Sequence, residues 1–328
     1  MAARLLALAL CAGLSLLVAA GVAAPAPPAG GQDPEAMEIP RGPFGDSELE
    51  KIRQAMLERI NFDRELEGVD PVEWDDEAAR VGDIFCAISL RDGTVGHYTL
   101  DGMSPLDRWG IFGGGGPYVS ENTCAWAWSG PTVDWSVRGV IRLLDQFQDM
   151  MLAEQPPEDG HRRTILDPHL THVGIGLALS ENQLRYAQEF TSRYVEIDET
   201  PLEADRREDL PFSGRVMEPS DYRLDYILLY HKDPPEPLTV AECAQRMSYE
   251  LPETRKVLRP MVDEGLYYQS DGSRGEFTYD PSTGEFSTEL SWYKGGGWYG
   301  VICLLAPSHS PPGEAQFSGS WNVVQVGS

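Results

Sequence analysis

Two histidines and one carboxylate are the side chains best suited to shared chemistry in this sequence. His97 stands in Gly96-His97-Tyr98, Glu121 in Ser120-Glu121-Asn122-Thr123, and His161 in Gly160-His161-Arg162-Arg163-Thr164-Ile165-Leu166. Two neutral imidazoles with a carboxylate suit zinc or a related divalent cation and leave at least one position for water. The same set can instead move protons, with an imidazole tuned near neutrality by the carboxylate. The three are far apart in sequence and do not form a His-Glu-x-x-His helix, so only the fold can bring them together.

Other chemistry finds less support. There is no Ser-His-Asp order and no nucleophile elbow, which leaves acyl-enzyme catalysis without a carrier. Gly113 to Gly116 lacks the Lys-Ser/Thr ending of a phosphate loop and reads as a flexible connection. His169 and His172 flank a turn and read as strand-end residues. Trp126, Trp128 and Trp135 crowd one region, where they either line a ligand surface or pack a core. Tyr293, Trp298 and Tyr299 read as strand packing.

Helices and a hairpin must position the candidate residues. Leu49, Ile52, Met56, Leu57 and Ile60 recur at helical spacing after a cap at Asp46-Ser47, and Gly68 to Pro71 ends that helix. Trp74-Asp75-Asp76 starts a second helix carrying Ala79, Val81, Ile84, Phe85 and Ile88. Ser104-Pro105 starts a third, and Val137 to Met151 holds a fourth apolar stripe. His172 to Ser180 and Gln183 to Val195 alternate partly and read as a hairpin. After an acidic stretch, strand-length runs at 222–230, 265–268, 275–279, 285–292 and 298–305 are separated by turn chemistry, with a short helix expected over 239–247.

This pattern divides the chain into an α+β domain over 46–198, an acidic linker over 199–210 and a smaller mostly-β, sandwich-like domain over 211–328. Residues 1–24 have a basic start at Arg4, an apolar run from Leu5 to Val18 and small residues at Ala19 to Ala24, as expected of a secretory signal peptide. Residues 25–45, rich in Pro, Gly and Ala, read as a flexible tether. An exported chain with Cys86, Cys124, Cys243 and Cys303 permits the disulfides Cys86–Cys124 and Cys243–Cys303, the alternative being buried thiols. The net charge of −26, from 52 acidic and 26 basic residues, disfavours nucleic acid and anionic membranes as partners. It reads chiefly as a solubilising surface.

Beyond the residue types, their order is informative. Asn61-Phe62-Asp63-Arg64 with Trp74-Asp75, then His97, Ser120-Glu121-Asn122, Gly160-His161-Arg162-Arg163-Thr164-Ile165-Leu166 and Val173-Gly174-Ile175-Gly176 follow one another as in a known family. Residues 46–198 resemble the CAP superfamily of bacterial type, the secreted SCP-like domain shared by cysteine-rich secretory proteins, antigen 5 and plant pathogenesis-related proteins. Ser120 and Thr164 stand where that pattern has glycine and asparagine. The resemblance implies a three-layer α-β-α sandwich whose cleft, lined by His97, Glu121, His161 and a second glutamate matched by Glu154, holds a divalent cation such as zinc or calcium. It also implies a secreted, periplasmic or extracellular protein, non-catalytic, whose cleft takes a cation or small apolar ligand and whose partner is an extracellular protein, lipid or surface. The alternative is a metal-assisted extracellular hydrolase or peptidase with His97 and His161 as ligands and Glu121 as base or ligand.

Overall fold

The computed structural model describes residues 8–10, 37–113, 115–198, 200–246, 248, 249, 251 and 255–327. The expected leader and the first part of the tether lie outside these residues, apart from a short strand β1 (Leu8–Leu10) paired with 125–127.

Local capping chemistry sets the helices of the first half. In α1 (Asp46–Leu66) the buried residues Leu49, Ile52, Met56 and Ile60 form one stripe. After β2 (Glu73–Trp74), Asp75 accepts hydrogen bonds from the amides of Glu77 and Ala78 and so starts α2 (Asp76–Asp92). That helix ends where Gly93 turns left-handed, at φ 68°. Ser104 and Asp107 close a capping box around α3 (Pro105–Ile111), followed by β3 (Gly116–Ala127). Next come α4 (Val137–Leu152), α5 (Gly160–Ile165), and the hairpin β4 (His172–Leu179) and β5 (Gln183–Ser192).

The strands order as β3-β5-β4-β2. Helices α1 and α4 pack on one face through Ile52, Met56, Leu144 and Phe147 against Val173, Ile175 and Phe190. Helix α2 covers the other face at very short range. A Cβ on Gly174 would stand 2.0 Å from the Ala79 amide nitrogen, and one on Gly176 2.2 Å from the carbonyl carbon of Gly82. This explains the alternation Val173-Gly174-Ile175-Gly176: branched side chains fill the α1/α4 side, and glycine admits the helix backbone on the other. The first half is therefore the three-layer α-β-α sandwich expected.

The second half contributes β6 (Val195–Ile197), β7 (Glu203–Ala204), β8 (Leu210–Val216), β9 (Tyr222–Lys232), α6 (Val240–Gln245), β10 (Arg255–Leu258), β11 (Phe277–Tyr279), β12 (Glu285–Leu290), β13 (Gly297–Pro307), β14 (Phe317–Ser318) and β15 (Ser320–Val326). Strands β10-β9-β13-β15 face the four-stranded sheet β11-β12-β8-β6 across a core of Phe212, Ile227, Leu229, Phe277, Phe286, Tyr299, Val301 and Val324. This is a sandwich, as the turn-rich pattern implied. Residues 265–268, expected as a strand, are instead a loop in which the Tyr268 hydroxyl donates to the Pro260 carbonyl at 2.8 Å. Strands β8, β10 and β15 were not anticipated.

Strand β15 also pairs with β3, Ser320 opposite Pro117 and Trp321 opposite Gly116, so one sheet runs through both halves. A shared cluster reinforces the join: Ala78, Val81, Leu106 and Trp109 pack with Leu228, Tyr230, Ile302, Trp321 and Val323. The Trp321 indole donates to the Leu106 carbonyl at 2.8 Å, and Lys232 pairs with the buried Asp107.

Among the described residues no disulfide joins Cys86, Cys124, Cys243 and Cys303; all four are buried thiols, the alternative that the sequence left open. Cys86 packs beside Phe85, Ala178 and Ala187 on the α2 side of the sheet, while Cys124 lies in the core on the α1/α4 side. The sheet itself separates those two sulfurs. Cys303 is likewise enclosed in the sandwich core, whereas Cys243 contacts the Thr99 carbonyl. Among the described residues no helix is long and apolar enough to cross a membrane.

Because Trp321 is buried in the cluster that joins the two halves, Trp321→Ala is expected to destabilise the protein by about 3–5 kcal/mol. Urea denaturation of the two proteins measures the difference.

Candidate functional site

The fold brings His97, Glu121 and His161 together. The loop after α2 carries His97, β3 carries Glu121 and α5 carries His161, and the two imidazole ring centres are 6.4 Å apart. Each histidine is fixed by its own carboxylate. His97 Nδ1 lies 2.8 Å from Glu121 Oε1, and His161 Nδ1 lies 2.5 Å from Glu154 Oε1. Glu154 also accepts the His161 amide at 2.9 Å, so it holds both ring and backbone of that residue. A carboxylate at Nδ1 selects the Nδ1–H tautomer and leaves Nε2 as the nitrogen offered to a ligand.

Three supports place these groups. Arg108 on α3 reaches Glu121 Oε2 at 2.5 Å and the His97 carbonyl at 2.6 Å, which ties the loop to the sheet. Arg64 on α1 donates to the carbonyls of Ile165, Asp167 and Leu170 and so anchors the end of α5. A buried amide chain completes the scaffold: Asn122 donates to the His161 carbonyl at 3.2 Å and to Gln188 at 3.0 Å, and Gln188 donates to Gln148 at 2.7 Å. Ser120 and Thr164, the two departures from the family pattern, meet each other at 3.2 Å between hydroxyls.

Two further residues of the site gave no signal in the sequence. Glu189 on β5 lies directly across from Glu121 and is buried beside it. Burial and the negative Glu121 push the Glu189 carboxyl well above the usual carboxylate range, so it keeps its proton and donates it to Glu121. Burial also works to raise Glu121, but the Arg108 guanidinium and the His97 contact outweigh it and hold that carboxyl below its usual range. Tyr249, from the second half, sets its ring edge-on to His97 with centres 5.0 Å apart. Its hydroxyl accepts the Glu121 amide at 2.7 Å. Burial raises the Tyr249 hydroxyl, so it remains a neutral phenol.

The donor set fits a cation only in part. One ion bridging two imidazole nitrogens sets the ring centres about 5–6.5 Å apart, which the observed spacing meets. Among the described residues, however, no three His, Cys, Asp or Glu side chains are arranged to hold a metal ion. The arrangement therefore offers two nitrogen ligands oriented by carboxylates, with water left to complete any coordination. His169 stacks on Phe317 at 4.0 Å and His172 pairs with Glu73, both outside the cavity. Trp126 and Trp135 pack edge to face against the first core.

A folded-state carboxyl raised above its unfolded value loses stability as pH climbs from the unfolded toward the folded value. Glu189→Gln removes that loss. The variant is expected to match the parent near pH 4 and to gain on it between pH 5 and 7, by up to roughly 1 kcal/mol per pH unit. Urea denaturation of both proteins across that range tests the sign.

Residues 57–191 match the family described as CAP, the cysteine-rich secretory protein family. No curated protein matches the sequence. Among solved structures, an extracellular SCP-domain protein of Bacillus anthracis is 18% identical, with a TM-score of 0.34, over 46% of this chain and 45% of its own. The chain thus spans less than half the length of that structure. An outer surface protein of Borrelia burgdorferi is 13% identical, with a TM-score of 0.35, over 47% of this chain and 99% of its own. Residues 57–191 of this chain are a CAP domain of the cysteine-rich secretory protein family.

Proposed function

We propose that the protein is a secreted or surface-held binding module whose CAP cleft engages its ligand through the Nε2 atoms of His97 and His161, without catalysis. The observation that carries this reading is the engagement of both carboxylates. Glu121 is held by Arg108 and His97, and Glu154 by the ring and amide of His161. A hydrolase needs a carboxylate free to take a proton from water, and zinc enzymes ordinarily supply three protein ligands. This cavity supports neither requirement, whereas two oriented imidazoles suit a weakly held ligand.

Of the cations considered, imidazole nitrogen favours zinc, because calcium takes oxygen ligands. A bound zinc would supply Lewis acidity and two nitrogen-anchored positions open to a partner's donor groups. The described helices and the family are compatible with an exported protein, and the strong negative charge favours divalent cations over nucleic acid. An extracellular protein, a lipid or a surface remains the class of partner.

Zinc at saturating concentration is expected to raise the melting temperature by a few degrees, a shift abolished by His97→Ala or His161→Ala, while calcium leaves it unchanged. The absence of any zinc-dependent shift in the parent protein rejects the cation form of this reading.

A further inference from the structure

Strands β9 and β10 are hydrogen-bonded antiparallel neighbours, with Tyr230 opposite Arg255. Such a pair is ordinarily joined by about two to five residues. Here β9 ends at Lys232 and β10 begins at Arg255, so 22 residues intervene. Among the described residues of this stretch, 236–246 lie against the loop that carries His97, and Tyr249 lies beside the His97 ring.

The contact is built into both partners. The Leu238 amide donates to the Leu100 carbonyl at 2.7 Å, and the Cys243 thiol contacts the Thr99 carbonyl at 3.6 Å. At Gly102, with φ of 82°, a Cβ would stand 2.1 Å from the Glu236 carbonyl oxygen, so the loop that carries His97 needs glycine there for the approach. The Arg246 guanidinium lies over the Tyr98 ring at 5.3 Å. Tyr249 then enters the cavity. Strand β3 pairs with β15 only at Gly116 and Pro117 and with β1 only from Ala125, so the outer edge at Glu121 has no strand partner among the described residues. The Tyr249 hydroxyl takes that place, accepting the Glu121 amide at 2.7 Å and donating to the Glu121 carbonyl at 3.4 Å.

Beyond those contacts Leu238 is buried and Tyr249 and Leu251 pack against the shared cluster, but most other described residues of this stretch are exposed. Helix α6 has six residues, of which only Cys243 is buried, and Val240 is 44% exposed. A segment with so little buried apolar surface opens at far lower cost than the sheet it leaves.

We propose that residues 236–246 together with Tyr249 form a strap that occupies the CAP cleft from within, and that a ligand reaches the imidazole of His97 only in molecules whose strap has lifted. The proposal rests on the imidazole pair being the ligand site. Its apparent affinity for any ligand is then the intrinsic affinity reduced by the lifted fraction.

Diethyl pyrocarbonate acylates accessible imidazoles, and mass spectrometry of the full-length chain reads the rate at each histidine. His309 is exposed and serves as the internal reference. Tyr249→Ala is expected to raise the His97 rate about tenfold or more with His309 unchanged; equal His97 rates in the two proteins overturn the strap. Should the variant not fold, native-state hydrogen exchange of the parent decides: the Leu238 amide is expected to exchange faster than the amides of β9, and equal protection overturns the proposal. A zinc titration that fails in parent and variant alike rejects the cation reading while leaving the labelling difference in place.

Discussion

The Arg108 side chain is 1% exposed, and a cation so deep in the protein depends on the groups that answer its charge, although its Nε has no hydrogen-bond partner. One arm meets Glu121, another the carbonyls of His97 and Met103, and its flat face lies 3.8 Å from the centre of the Phe85 ring. The rest of the cavity follows from these obligations. Because Arg108 sits on α3, the helix, the loop from Gly93 to Ser104 and strand β3 are locked as one body. The anionic form of Glu121 is likewise secured by Arg108. That charge fixes the tautomer of His97 and forces the neighbouring Glu189 to stay neutral. Replacing Arg108 would leave a buried anion without its cation, which costs far more than one lost hydrogen bond.

The two halves of the molecule depend on each other through the sheet and α3. Strand β15 extends the central sheet, and α3 packs Leu106 and Trp109 onto strands from the second half. The same short helix thus carries Arg108 into the cavity and Asp107 to Lys232 of β9. The contacts of α3 link the sandwich to the groups around His97.

Much of the first half was legible because its signals are local. Asp75, Ser104 and Ser136 each cap the helix that follows, and a cap needs only its own next few residues. His97, Glu121 and His161 stood out as rare chemistry-bearing residues in an ordered succession, and Glu154 emerged from its place before His161. Glu189 was hidden because β5 is buried on both faces from Leu184 to Ser192, so its polar residue carried no periodic mark. Tyr249 was hidden for another reason: it lies 128 residues from its partner Glu121, and no local pattern reports so distant a contact. Ser120 and Thr164 looked like two separate departures from the family. Their hydroxyls meet in one hydrogen bond, a contact that only three dimensions could reveal.

The four enclosed cysteines have a consequence for redox chemistry. Exchange between sulfurs proceeds through the thiolate, yet burial raises the Cys86 and Cys243 thiols and pushes Cys303 up to about 12. Near neutral pH these three offer almost no nucleophile to an oxidant or a foreign disulfide. A chain exported into an oxidising space would therefore be vulnerable to mispaired bridges only before it folds. Once the cores close, packing shields Cys86, Cys243 and Cys303 from exchange.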